Sequence, residues 1–180
     1  MNDQRRLYVM RHAKSSWDNP AQDDHDRPLA PRGERAVAAL AAHIAASDIR
    51  PQLVLCSSAR RTRETLEGVG VEGEQRIDRR FFDLTCGDLI EDLRRVPAET
   101  RSVMVIGHNP TMQMVVLKLT GGTGSHESGE AAQNLVDIER KFPTGALATL
   151  SFSCEWAALG SGAARLAGYV RPKELLYVAD

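Results

Sequence analysis

A chain of 180 residues is most simply one domain, residues 1–180, able to bury roughly 70% of the surface its unfolded form exposes. Apolar residues make up 42%, charged residues 26%, and the formal net charge is −1. No global field therefore favours nucleic acid or an anionic membrane, and any affinity for phosphate must be local.

No stretch approaches the roughly 20 apolar residues of a membrane span, and the first apolar run, 7–10, is too short for a signal peptide. Cys56, Cys86 and Cys154 are widely spaced, without a CxxC. They give no zinc signature and suit a reducing compartment, so the expected location is cytoplasmic.

In chain order, Leu7-Tyr8-Val9-Met10 reads as a buried strand leading into Arg11-His12-Ala13. A polar stretch, Lys14 to Arg27, follows. Pro31 suits the first turn of an alanine-rich helix whose Val37, Leu40, Ala41 and Ile44 share one face, although Ala30 is a poor cap. Leu53-Val54-Leu55-Cys56 is a second buried strand, followed by Ser57-Ser58-Ala59-Arg60-Arg61. A helix over 62–67 stops at Gly68 and Gly70. Gln75 to Phe82 reads as a polar edge strand, and Leu89, Leu93 and Val96 mark a helix ended by Pro97.

The central strand Val103-Met104-Val105-Ile106 leads into Gly107-His108-Asn109-Pro110. A helix then starts near Pro110, with Asn109 as the expected cap and Met112, Val115, Val116 and Leu119 as its apolar face; Met114 is assigned to packing as well. Gly121 to Asn134, rich in Gly, Ser and Glu, reads as an exposed, mobile loop. Residues 146–152 and 164–170 are late strands, with a turn around Gly160 to Gly162. Alternating strand and helix signals predict a three-layer α/β/α sandwich with a mostly parallel central sheet and one antiparallel edge strand.

Three predicted strands end in polar residues suited to an anion: Arg11-His12, Ser57 to Arg61, and Gly107-His108. In an open α/β sheet such tips meet at the carboxyl edge, where ligands bind. A guanidinium donates two parallel charge-assisted bonds to a phosphoryl group, and imidazole serves as nucleophile, acid or donor near neutral pH. Two arginines and two histidines therefore suit phosphoryl transfer through a phosphohistidine, with no metal or other cofactor.

The same residues carry a family resemblance. Leu7 to Lys14 resembles the opening strand and Arg-His signature of the histidine phosphatase (phosphoglycerate mutase-like) superfamily. Ser57 to Thr65 is similar to its second motif, and Gly107-His108 to its third. Arg27-Pro28-Leu29, Gly107-His108-Asn109-Pro110 and Lys141-Phe142-Pro143-Thr144-Gly145-Ala146 resemble the short SixA-type phosphohistidine phosphatase branch.

The resemblance implies that His12 is the nucleophile, that Arg11 and Arg61 clamp the phosphoryl oxygens, and that His108 donates to them. His12 is expected to be neutral before reaction, with a carbonyl on its other nitrogen fixing the tautomer. His108 works best charged, which the arginines oppose and a bound phosphate dianion restores. Ala13 stands where Arg-His-Gly is commoner. Residues 68–102 leave no room for the substrate-covering insert in which larger members often carry an acidic proton donor, so only Glu72, Glu74 and Asp83 are candidates for that role.

A phosphate ester leaves as an alkoxide unless an acid protonates it, whereas imidazole, with a conjugate-acid pKa of roughly 6.5, leaves easily. The expected substrate is therefore phosphohistidine on a partner protein. Alternatives are a broad small-molecule phosphomonoesterase or mutase, and a non-catalytic phosphate-binding module of the same fold.

Simpler readings apply to the neighbours. Arg60 and Arg63 are solvated helix-start charges. Arg27 either reaches the phosphate or substrate or forms a surface salt bridge. Ser57 and Ser58 either orient Arg61 or cap the helix, with capping the simpler expectation. His25, in Asp23-Asp24-His25-Asp26, superficially invites a metal but reads as part of a loop bordering the site. His43 and His126 receive no role, and Cys56 is a buried strand residue.

Overall fold

The computed structural model describes residues 4–176. Six strands form one sheet: β1 (Arg5–Arg11), β2 (Leu53–Ser57), β3 (Glu74–Asp78), β4 (Ser102–Gly107), β5 (Leu147–Phe152) and β6 (Arg165–Val170), in the order β3-β2-β4-β1-β5-β6. The four strands β3, β2, β4 and β1 are mutually parallel, and β5 runs against both β1 and β6. The sheet is mostly parallel, as the apolar runs predict. The single reversed strand, however, lies inside the sheet, and β6 takes the edge that was expected for it.

Successive residues of the central strands enter opposite cores, because side chains alternate across a sheet. Leu7, Val9, Val103 and Val105 face one helical layer, α3 (Cys86–Arg94), α4 (Thr111–Thr120) and α5 (Gly129–Arg140). Tyr8, Met10, Met104 and Ile106 face the other, α1 (Pro31–Ala46) and α2 (Arg60–Val69), with α6 (Pro172–Leu176) packed on α1. Burial on both faces explains why these strands read as continuous apolar runs without polar alternation. Among the described residues no helix is long and apolar enough to cross a membrane.

Three local expectations need correction. Residues 121–134 are not a free loop: a 3-10 turn at Gly122–Gly124 leads into α5, whose Leu135 and Ile138 are fully buried, and the Glu127 carboxylate accepts from Leu166 N at 3.2 Å. The apolar positions fall only in the last half of α5, so the first half carries no helical period to detect. Asn109 does not cap α4; its amide donates to Phe142 O at 3.0 Å, and Pro110 stands at the cap position without a side-chain bond. Met114, two positions from buried Met112 and so off its face, is 51% exposed and packs little.

Candidate active site

Both critical strand ends are fixed by backbone bonds before any side chain acts. His12 N donates to Gly107 O at 3.0 Å, tying the end of β1 to the end of β4. Gly145 N donates to both Arg11 O and His12 O, at 3.1 and 3.0 Å. Gly145 has φ +77°, a conformation glycine adopts without steric cost. The preceding Phe142 carbonyl accepts from Arg11 Nη1 at 2.9 Å and from Asn109 Nδ2 at 3.0 Å. The Lys141–Ala146 segment thus holds Arg11 and the His108 loop in a fixed relation.

The four residues singled out at the strand ends come together. The His12 and His108 rings lie 5.0 Å apart, centroid to centroid. Arg61, buried at the start of α2, lies between them: its Nε is 3.3 Å from His12 Nε2 and its Nη2 is 3.3 Å from His108 Nδ1. Arg11 joins through the electrostatics: besides burial, the Arg61 charge lowers Arg11, and both guanidinium charges lower the two imidazoles. Arg60 pairs with Glu64 at 2.6 Å and, like Arg63, is exposed.

Hydrogen-bond chemistry then assigns tautomers. A carbonyl only accepts, so the 2.7 Å contact to Ala13 O requires a proton on His12 Nδ1. Nε2 keeps its lone pair and accepts from Arg61. For His108, Arg61 can only donate, so Nδ1 carries the lone pair and Nε2–H donates to Ser57 Oγ at 2.9 Å. Ser57 therefore orients His108, where the sequence suggested a cap or a partner for Arg61. Ser58 bonds His25 Nε2 at 2.9 Å, and α2 has no side-chain cap.

Burial, followed by the charges of its cationic neighbours, lowers His12 to about 3, against the opposing bond from Ala13. Burial and the Arg61 charge lower His108 to about 4, with Asp24 opposing. Both rings stay neutral in the folded protein while the unfolded chain takes up protons near 6.5. Stability should be complete above pH 6.5 and fall as the pH drops towards 4, by up to about 1.4 kcal/mol per pH unit for each imidazole. Urea unfolding of a His12→Asn/His108→Asn variant should show a shallower decline over that window; an unchanged slope would contradict it.

Arg27 is buried but does not touch the other four. Its Nη atoms donate to Asn19 O and Gln22 O at 3.1 and 3.0 Å, and its guanidinium stacks 4.0 Å over the Trp17 ring. Among the described residues it meets the site through Asp24, whose Oδ1 is 3.6 Å away. That carboxylate is the residue the sequence did not single out. Asp24 Oδ2 accepts from Arg61 Nη2 at 2.9 Å, and Asp24 O accepts from Arg61 Nη1.

Phe82 closes the side of the site, edge-on to His108 at 5.1 Å and to His25 at 5.2 Å. His25 borders the site as expected, its Nδ1 3.2 Å from Asp26. Among the described residues no group of three His, Cys, Asp or Glu side chains is placed to hold a metal. The three acidic candidates do not join the constellation. Glu72 and Glu74 lie at the amino end of the sheet, with Glu74 engaged by Arg76, and Asp83 is exposed.

Known proteins share this fold and much of this sequence. The family model of the histidine phosphatase superfamily (branch 1) matches residues 7–89. An uncharacterised protein of Mycobacterium tuberculosis is 35% identical over 91% of this chain and 100% of its own. The structure described as the putative phosphohistidine phosphatase SixA from Nakamurella multipartitia superposes with a TM-score of 0.80, at 31% identity over 94% of this chain and 96% of that one. Its counterpart from Agrobacterium tumefaciens gives 0.75 at 26% identity, over 93% and 98%. The chain belongs to the histidine phosphatase superfamily and is of the SixA-like type.

Proposed function

We propose that this protein is a phosphatase that works through a covalent phosphohistidine at His12 and acts on phosphohistidine of a partner protein. The observation that carries the reading is the bonding of the His12 ring, with Nδ1–H on Ala13 O at 2.7 Å and the Nε2 lone pair beside Arg61. A nucleophilic imidazole needs that tautomer, and a base on the opposite nitrogen supports the positive charge that attack creates. Superfamily membership supports phosphatase activity as such.

In the first step Nε2 attacks phosphorus; the P–Nε2 bond forms as the bond to the leaving group breaks. Arg11 and Arg61 hold the phosphoryl oxygens by charge-assisted bonds, each contributing about 1.5–3 kcal/mol. The approaching dianion favours protonation of His108, converting Nδ1 from acceptor to donor as charge moves onto the oxygens. Arg27 serves by holding the 17–27 loop through Trp17, Asn19 and Gln22, a positioning role in place of direct substrate contact.

Two features favour a protein-borne phosphohistidine. A histidine ring departs as neutral imidazole once its distal nitrogen is protonated, so no strong acid is needed at the leaving group. Between α2 and β4 the chain holds only β3, a 3-10 turn and α3, with no inserted segment to enclose a small substrate, which leaves the site accessible to a side chain presented on another surface. Three unpaired cysteines fit action in a reducing compartment, the cytoplasm.

The test is turnover of a histidine-phosphorylated carrier protein against sugar phosphates and para-nitrophenyl phosphate. The reading expects kcat/KM at least about tenfold higher, some 1.4 kcal/mol, for the phosphohistidine protein. A preference for any phosphomonoester would overturn it.

A further inference from the structure

We propose that Asp24 is the general base that removes a proton from the water hydrolysing the phosphoenzyme, an inference that rests on the reading of His12 above. Among the described residues, Asp24 supplies the carboxylate hydrogen-bonded to the guanidinium that itself bonds both His12 and His108. Water attack on phosphorus releases a proton that an ester or phosphoramidate substrate never brings. Transfer to His12 can proceed without a strong acid, but phosphoenzyme breakdown gains from a base.

The fold holds Asp24 at this point by its backbone. Asp24 O accepts from Arg61, Asp23 Oδ1 accepts from His25 N at 2.9 Å, and the His25 ring is fastened to Ser58. Gln22 Nε2 donates to Asp26 O at 2.9 Å, and Arg27 binds the loop behind it. The side chain, by contrast, is 51% exposed. A guanidinium has five N–H donors, and here His12, His108 and the two Asp24 oxygens occupy them almost completely. A phosphoryl oxygen landing on Arg61 must therefore displace the Asp24 carboxylate by side-chain rotation, while the fastened backbone keeps it beside the phosphoryl group and in contact with water.

The other titratable groups nearby are committed. His108 gives Nε2–H to Ser57 and turns Nδ1 to Arg61; His25 has both nitrogens engaged, by Ser58 and Asp26. In the proposed step a water oxygen forms the new P–O bond as P–Nε2 breaks. The electron pair returns to His12 Nε2, Nδ1–H stays on Ala13 O, and Asp24 takes the water proton. Hydrogen phosphate leaves, and the carboxyl passes its proton to solvent through its exposed side.

The experiment uses phosphoramidate as phosphoryl donor, with alkaline quench and separate measurement of phosphoenzyme formation and breakdown. In Asp24→Asn, formation should stay within about threefold of wild type while breakdown slows by about 10²–10⁴, the span of one general base. Phosphoenzyme should then accumulate, and Asp24→Glu should restore breakdown to at least about a tenth of wild type. Unchanged breakdown, or equal slowing of both steps, would overturn the role of Asp24 alone. A wild-type enzyme that never becomes phosphorylated would overturn the His12 reading and this inference with it.

Discussion

Replacing His12 with alanine should lower turnover of any phosphoryl donor to below about a hundredth of wild type, because the covalent route then has no acceptor atom. Nothing nearby can replace it. His108 directs Nε2–H to Ser57, and its Nδ1 faces Arg61. The fold should survive, since the end of β1 is held by backbone bonds from His12 N to Gly107 O and from Gly145 N to His12 O, which alanine retains. Circular dichroism and urea unfolding would verify that. Residual activity above about a hundredth would mean that water attacks phosphorus directly and that His12 only binds.

Arg61→Ala should be nearly as damaging, by at least about a hundredfold in kcat/KM, equivalent to about 2.7 kcal/mol of transition-state stabilisation. The guanidinium reaches His12 Nε2, His108 Nδ1 and Asp24 from one buried position, a task its planar fork can do and an ammonium cannot. Arg61→Lys should therefore recover little, and recovery to within about threefold would contradict the forked role. A second readout separates electrostatics from packing. Arg61 is among the causes that hold His108 low, so its removal should raise the His108 titration observed by NMR; an unmoved His108 would show that burial alone sets it.

Much of this site could be read from the chain because its chemistry sits at the ends of strands that are apolar on both faces. Leu7 to Met10 and Val103 to Ile106 announce themselves, and the next residues, Arg11-His12 and Gly107-His108, must emerge at the carboxyl edge. Arg61 follows from β2 by the same logic. What the sequence concealed depends on contacts distant along the chain. Ser57 looked like a helix cap from its neighbours, yet its oxygen accepts from His108, 51 residues away. Asp24 is one of three aspartates in a polar tetrapeptide, and only the fastening of that loop by Arg27, Ser58 and Arg61 selects it.

The missed helix α5 and the misplaced reversed strand have similar causes. Leu135 and Ile138 alone mark the buried face of α5, too few to establish a period against a Gly- and Ser-rich lead-in. Strand order is a tertiary property, and β5 occupies the interior because it pairs with β1 on one side and β6 on the other. Either late strand alone reads equally well as an edge.

The most direct test of the central claim is to mix the enzyme with phosphoramidate, quench in alkali within milliseconds and map the modification by tandem mass spectrometry. The account predicts one phosphoryl group on the His12 ring, stable to base, lost in acid and missing from His12→Ala. Phosphoryl transfer to any other side chain, or product release with His12 never modified, would contradict it.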